Sequence, residues 1–123
     1  LPGVQRVSAK EAQQLQAKGA LLVDTRTEKE YKTKRIKGAL LASYVEKSLK
    51  DVAFNATQDD FQALERLSDI NAAKPVIFAC NGAECWKSYK AAKVAAGKGY
   101  KNVFWLRGGL PEWDAEGLPT EGG

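Results

Sequence analysis

Residues 75–99 read PVIFACNGAECWKSYKAAKVAAGKG. Val76-Ile77-Phe78-Ala79 is a short apolar run ending on Cys80, followed by Asn81-Gly82-Ala83-Glu84, a second thiol at Cys85, and a segment with helical spacing of Tyr89, Ala92 and Ala96. A continuous apolar run of this length predicts a buried strand, and the later spacing predicts a helix. Cys80 therefore sits where a strand hands over to a helix. Backbone N–H groups are unpaired at such a place, and with the helix dipole they stabilise negative charge on sulfur.

Working outward, the same alternation recurs. Val4 to Val7 predicts a short strand, and Ser8 with Glu11 three residues on is a capping box for a helix ending near Gly19. Ala20-Leu21-Leu22-Val23 predicts a buried strand ending at Asp24, and Thr25 to Tyr31 a short helix or turn. Ile36 to Ala42 reads as a third strand and Tyr44 to Gln58 as a long surface loop. Asp59-Asp60 are expected to open a helix with Phe61, Leu64, Leu67 and Ile70 on one face. Val103 to Leu106 predicts a last buried strand, and Leu110 to Glu116 a short helix with Pro111 in its first turn. Gly117 to Gly123 is expected to be a flexible tail. Alternating strands and helices imply an α/β domain: a mainly parallel sheet covered on both faces, with ligands beyond the carboxyl ends of the strands. The 123 residues form one domain, with no repeat or linker.

Composition narrows the chemistry. There is no histidine, which removes His-based acid–base catalysis and most zinc or haem sites. Two cysteines cannot close a structural metal site by themselves, so no metal or cofactor is expected. The net charge of +4 is spread along the chain, without the aromatic-basic ladder of a nucleic-acid binder; it suits small anions or an acidic partner. No apolar run approaches the ~18 residues of a membrane span. The chain starts at Leu1-Pro2-Gly3 and contains no methionine, pointing to a removed signal peptide or a trimmed chain. Two nearby cysteines fit an oxidising periplasm or exterior, with the cytoplasm as the alternative.

Three segments together resemble a single rhodanese domain over nearly the whole chain. VDTRTEKEY with IKGA, Val23 to Ala39, is similar to that family's Asp-x-Arg…Glu-Tyr…Ile-x-Gly-Ala segment. VIFAC, Val76 to Cys80, carries the family's cysteine at a strand end. GKGYKNVFWLRGGLPEW, Gly97 to Trp113, is similar to its closing segment. The resemblance implies a three-layer α/β sandwich and a sulfurtransferase. The Cys80 thiolate takes a sulfane sulfur from a small donor, becomes a persulfide, and passes the sulfur to a thiol or protein acceptor. The cradle implied is Asn81, Gly82, Ala83, Glu84, Trp86 and Lys87.

The loop departs from the family pattern. Aligned on Ser88, it is about two residues longer, Lys87 stands where an arginine is usual, and Cys85-Trp86 lie in the extension. The related phosphatases use Cys, five residues, then Arg; here that position is Trp86, and phosphoryl transfer favours a bidentate guanidinium. Glu84 disfavours dianionic thiosulfate by like charge and points to polysulfide, a persulfide or a thiol partner.

Each residue also has a plainer reading. Cys80 could be a buried core thiol, but its position favours the nucleophile. Cys85 is either an apolar filler or a resolving partner, forming a disulfide with Cys80 or displacing sulfide from its persulfide. Trp86 is read as a pocket wall and Tyr89 as core. Arg26 is a candidate anion-binding group, against a fold-organising ion pair with Asp24 or Glu30. Lys87 is read as lining the approach to the site, while Lys90 and Lys93 are read as a solvated helix face; Arg107 is left open. Two other functions compete: a thiol-disulfide redox or sulfur-carrier protein using the Cys80/Cys85 pair, and a non-catalytic binding module.

Overall fold

The computed structural model describes residues 3–67, 70–82 and 84–122. Its strands and helices follow in the order β1 Val4–Arg6, α1 Ala9–Ala17, β2 Leu21–Asp24, α2 Glu28–Thr33, β3 Arg35–Ile36, β4 Leu40–Leu41, β5 Val76–Ala79, α3 Trp86–Gly97, β6 Val103–Leu106, α4 Gly109–Ala115 and β7 Thr120–Glu121. β1, β6, β5, β2 and β4 lie side by side in that order, every pair parallel. The strand carrying Cys80 at its end is thus the central one.

Strand periodicity divides the core into two layers. On β5, Ile77 and Ala79 face Val7, Ala12, Leu22, Leu106 and Trp113 under α1 and α4. Val76 and Phe78 face Tyr44, Phe61, Leu64, Ala91, Ala92 and Ala95 on the α3 side. The capping box read at Ser8 with Glu11 is present at the start of α1, and α2 carries a second, Thr27 with Glu30.

Four expectations are corrected. Residues 36–42 are not one strand. Gly38 at φ +83° breaks the run, so Arg35–Ile36 pairs antiparallel with Thr120–Glu121, while Leu40–Leu41 joins the main sheet. The C-terminal segment is therefore held through residue 121, and Trp113 Nε1 donates to the Pro119 carbonyl at 2.7 Å. Asp59-Asp60 open no α-helix; a 3-10 segment, Gln62–Arg66, follows instead. Residues 44–58 are not simply a surface loop, because Tyr44 and Ser48 are buried.

The last two corrections share one cause. The Asp59 carboxylate turns back and accepts from Tyr44 OH at 2.6 Å, Ser48 Oγ at 2.6 Å, and the Lys47 and Ser48 backbone N–H groups at 2.7 Å each. Those bonds strap residues 44–48 over the α3 side of the sheet. Burial pushes the Asp59 carboxyl up, but the four donors outweigh it and hold it at about 2, against an ordinary 3.8. A depressed folded value means stability present above pH 3.8 and lost as pH falls through 2. The unfolding free-energy gap between the wild type and Asp59→Asn should therefore shrink by roughly 2 kcal/mol between pH 5 and pH 2. Urea titrations at both pH values would test this; an unchanged gap would show that the carboxylate does not hold the strap.

Candidate active site

Cys80 follows the last residue of β5, and only 2% of its surface is exposed. Two neighbouring segments fix it. From one side, Thr25, just after β2, donates both its N–H (3.0 Å) and Oγ1 (2.9 Å) to the Ala79 carbonyl. From the other, Leu110 N–H donates to the Cys80 carbonyl at 3.0 Å. That approach requires glycine at 109: its φ is +55°, and a Cβ there would lie 2.2 Å from the Cys80 oxygen.

The loop then turns at Gly82, φ +135°, closed by Cys85 N–H to the Gly82 carbonyl at 3.1 Å. Cys85 is the N-cap of α3 and is disulfide-bonded to Cys80, with the two Cα atoms 6.2 Å apart. No side chain caps this helix. Its first-turn N–H groups and dipole are thus directed at the cysteine pair, an arrangement that favours a thiolate.

The mouth beside Cys85 is a cavity of about 680 Å³, and Cys80 lies behind its lining residues. Asn81, Gly82, Glu84 and Cys85 line it from the loop and Trp86 and Lys87 from the first turn of α3, while Glu46 of the strap and Lys50 just beyond it line the other side. Glu84 does face this cavity, alongside Lys50 and Lys87. Ala83 lies outside the described residues. Among the described residues no cluster of His, Cys, Asp and Glu could hold a metal ion.

Arg26 is not turned toward the mouth. It is 4% exposed and pairs with Asp24 at 2.7 Å. It also donates to Asn81 Oδ1 at 3.2 Å and to the Lys34 carbonyl. Asn81 in turn donates to Glu30, and that hydrogen bond, ahead of the opposing effect of burial, lowers the Glu30 carboxyl. Arg26 therefore positions the first loop residue, and every part of its guanidinium already has a protein partner.

A profile of the rhodanese-like domain matches residues 8–116. The chain belongs to the rhodanese-like family. Rhodanese-like domain-containing protein 14, a chloroplastic protein of Arabidopsis thaliana, is 30% identical over 96% of this chain, which spans only 65% of that protein's length. Thiosulfate sulfurtransferase GlpE of Haemophilus influenzae is 28% identical, with 94% of this chain and 92% of that protein aligned. The polysulfide-sulfur transferase of Wolinella succinogenes superposes with a TM-score of 0.72 at 23% identity, covering 99% of this chain and 81% of that one. The Alr3790 protein of Anabaena sp. gives 0.70 at 22%, covering 94% and 91%.

Within this rhodanese-like domain, sequence reasoning missed what supports the loop. Lys90 is not on a solvated face but completely buried, 2.7 Å from Glu46 and 2.9 Å from Ser48 Oγ. Its spacing from Lys87 and Lys93 reads as one exposed stripe, but the strap crossing α3 and the Phe54 ring, 5.3 Å from Lys90 Nζ, cover it. Lys93 stays exposed and donates to the Val52 carbonyl at 3.1 Å. Tyr89 is 8% exposed, its ring 5.2 Å from that of Trp86 and 5.4 Å from that of Trp105.

Proposed function

We propose that this protein is a sulfurtransferase carrying sulfane sulfur on Cys80, with Cys85 as its resolving thiol. The observation that carries the reading is the cysteine pair itself: one thiol at the end of the central strand, the other at the uncapped start of α3, close enough to bond. Family membership and the sulfurtransferases among its relatives support it.

In the reduced protein the Cys80 thiolate attacks the outer sulfur of a persulfide or polysulfide, R–S–S⁻. A new S–S bond forms, R–S⁻ leaves, and Cys80–S–S⁻ remains. A nucleophilic acceptor then takes the outer sulfur and returns Cys80 to thiolate. Alternatively the Cys85 thiolate attacks the inner sulfur, giving the Cys80–Cys85 disulfide and releasing HS⁻. Loop N–H groups stabilise the anion at each stage. Glu84 in the mouth disfavours a dianionic donor such as thiosulfate, so a monoanionic persulfide, R–S–S⁻, is the preferred donor class.

The reduced wild type should gain about 32 Da, one sulfur, on incubation with polysulfide, and Cys80→Ser should gain none. Cys85→Ser should hold its persulfide longer than the wild type. Intact mass against time would measure both. Sulfur uptake by Cys80→Ser would remove Cys80 from the role; equal persulfide lifetimes would remove Cys85.

A further inference from the structure

Cys85 also borders a second cavity, of about 240 Å³, on the α3 side of the sheet edge. Trp86, Tyr89 and Trp105 form its walls, and Arg6 and Arg107 its rim. The placement follows from strand geometry. Arg6 on β1 is in register with Trp105 on the parallel strand β6, so these two project to the α3 face, while Arg107, in the turn after β6, lines the same cavity.

Two features there are unmatched. Arg6 and Arg107 make no ion pair among the described residues. Nearby carboxylates in the adjoining hollow, Glu11 and Glu112, accept instead from the backbone N–H groups of Ser8 and Ala9. The Tyr89 hydroxyl makes no hydrogen bond among the described residues and is not one of the atoms enclosed away from solvent, so it is free to bond at the cavity, whereas the neighbouring Trp105 indole donates to Ser88 Oγ at 3.0 Å. An anionic ligand would supply the acceptor for Tyr89 and the counter-charge for both guanidinium groups.

We propose that this cavity receives a small carboxylate-bearing thiol, which reduces the disulfide by attacking Cys85. Flat indole walls fit an apolar stem, and the volume, about that of eight waters at ~30 Å³ each, limits the ligand to a small molecule. The inference rests on the resolving role of Cys85, because resolution leaves a disulfide that must be reopened.

The chemistry favours that sulfur. Cys80 is almost fully buried, while Cys85 is partly exposed and borders the cavity. Attack by R–S⁻ on Cys85 Sγ forms Cys85–S–S–R, breaks the protein disulfide and expels Cys80 as thiolate. The α3 terminus stabilises that leaving group, and a lower-pKa thiol leaves faster. A second R–S⁻ then attacks the ligand sulfur of the mixed disulfide, giving R–S–S–R and the Cys85 thiolate. Two thiols supply the two electrons, and their two protons pass to the protein thiols or solvent.

The test uses the oxidised full chain with 3-mercaptopropionate, 2-mercaptoethanol and cysteamine as anionic, neutral and cationic probes. Each rate of disulfide reduction is normalised to the same thiol's rate with a small uncharged disulfide. The anionic probe should lead the cationic one by about tenfold at low salt. That lead should fall to near parity in R6Q/R107Q and persist in K29Q/K32Q, which removes the same charge from α2. Alkylation after a rapid quench should place the mixed disulfide on Cys85 and the alkyl group on Cys80. Equal normalised rates for the three probes, a lead unaffected by R6Q/R107Q, a mixed disulfide on Cys80, or two free thiols persisting under oxidant would each overturn the proposal. Sulfur loading of the chemically reduced protein is scored separately: if loading fails while probe selectivity holds, the pair is a redox centre without sulfur transfer.

Discussion

Gly109→Ala should disrupt the cysteine loop and cost about 3 kcal/mol or more of stability. The positive φ alone makes a side chain unfavourable by roughly 1 kcal/mol. The larger contribution is steric. The new Cβ would lie 2.2 Å from the Cys80 carbonyl oxygen and 2.9 Å from the Gly82 nitrogen, both backbone atoms that no rotamer change can move. Relief requires α4 to retreat, which breaks the Leu110 N–H to Cys80 bond and leaves a buried carbonyl without its donor. Gly97→Ala is the control, since position 97 has nothing within 4 Å of its added Cβ and no positive φ. It should be neutral or stabilising by about 0.5 kcal/mol. Urea midpoints measure both, and disulfide formation after mild oxidation reads the loop directly. A Gly109→Ala protein as stable as the wild type, forming the disulfide at the same rate, would show that the contact between α4 and Cys80 does not shape the site.

Lys90→Met should destabilise by about 3–5 kcal/mol, because it preserves volume but leaves the Glu46 carboxylate unpaired where little water reaches it. A lost surface ion pair would cost at most about 1 kcal/mol, so the magnitude separates the buried pair from the solvated stripe that the sequence suggests. Adding Glu46→Gln to Lys90→Met should recover much of the loss, since the unpaired charge, rather than the missing attraction, accounts for most of it. Chemical denaturation of the two variants tests this. A single-variant loss below about 1 kcal/mol, or no recovery in the double variant, would contradict it. The consequence reaches the site. Lys90 ties α3 to the strap at Glu46 and Ser48, and the strap with the residues just after it lines both cavities, through Glu46 and Lys50 on one side and Val52 on the other. Loosening it should therefore also blunt the selectivity among thiols expected at the second cavity.

How much of this was legible before folding depends on the range of the interactions involved. β5 and the start of α3 were readable because apolar runs and helical spacing are local signals. The capping box at Ser8 was likewise local, closing within three residues. The turn from Asp59 misled for a related reason. Aspartate before an apolar period is a sound helix start in isolation, but Tyr44 and Ser48 offered the same carboxylate stronger partners from another part of the chain. Arg26 shows the intermediate case: the sequence offered Asp24 as its partner, yet the bonds to Asn81 and Lys34 that complete its shell come from chain segments it could not place.

By itself the sequence determined the α/β class, the placement of Cys80 at a strand end, and the presence of a second thiol within reach. All of these rest on period and spacing along a few turns of chain. Only the tertiary structure decided what surrounds them. Parallel pairing of β1 with β6 brought Arg6 beside Trp105 and Arg107, across about a hundred residues of chain. The strap over α3 took Lys90 out of water and gave it Glu46. Two side chains meeting from distant segments leave no periodic trace in either segment, because each is free to carry the charge or ring that its partner requires.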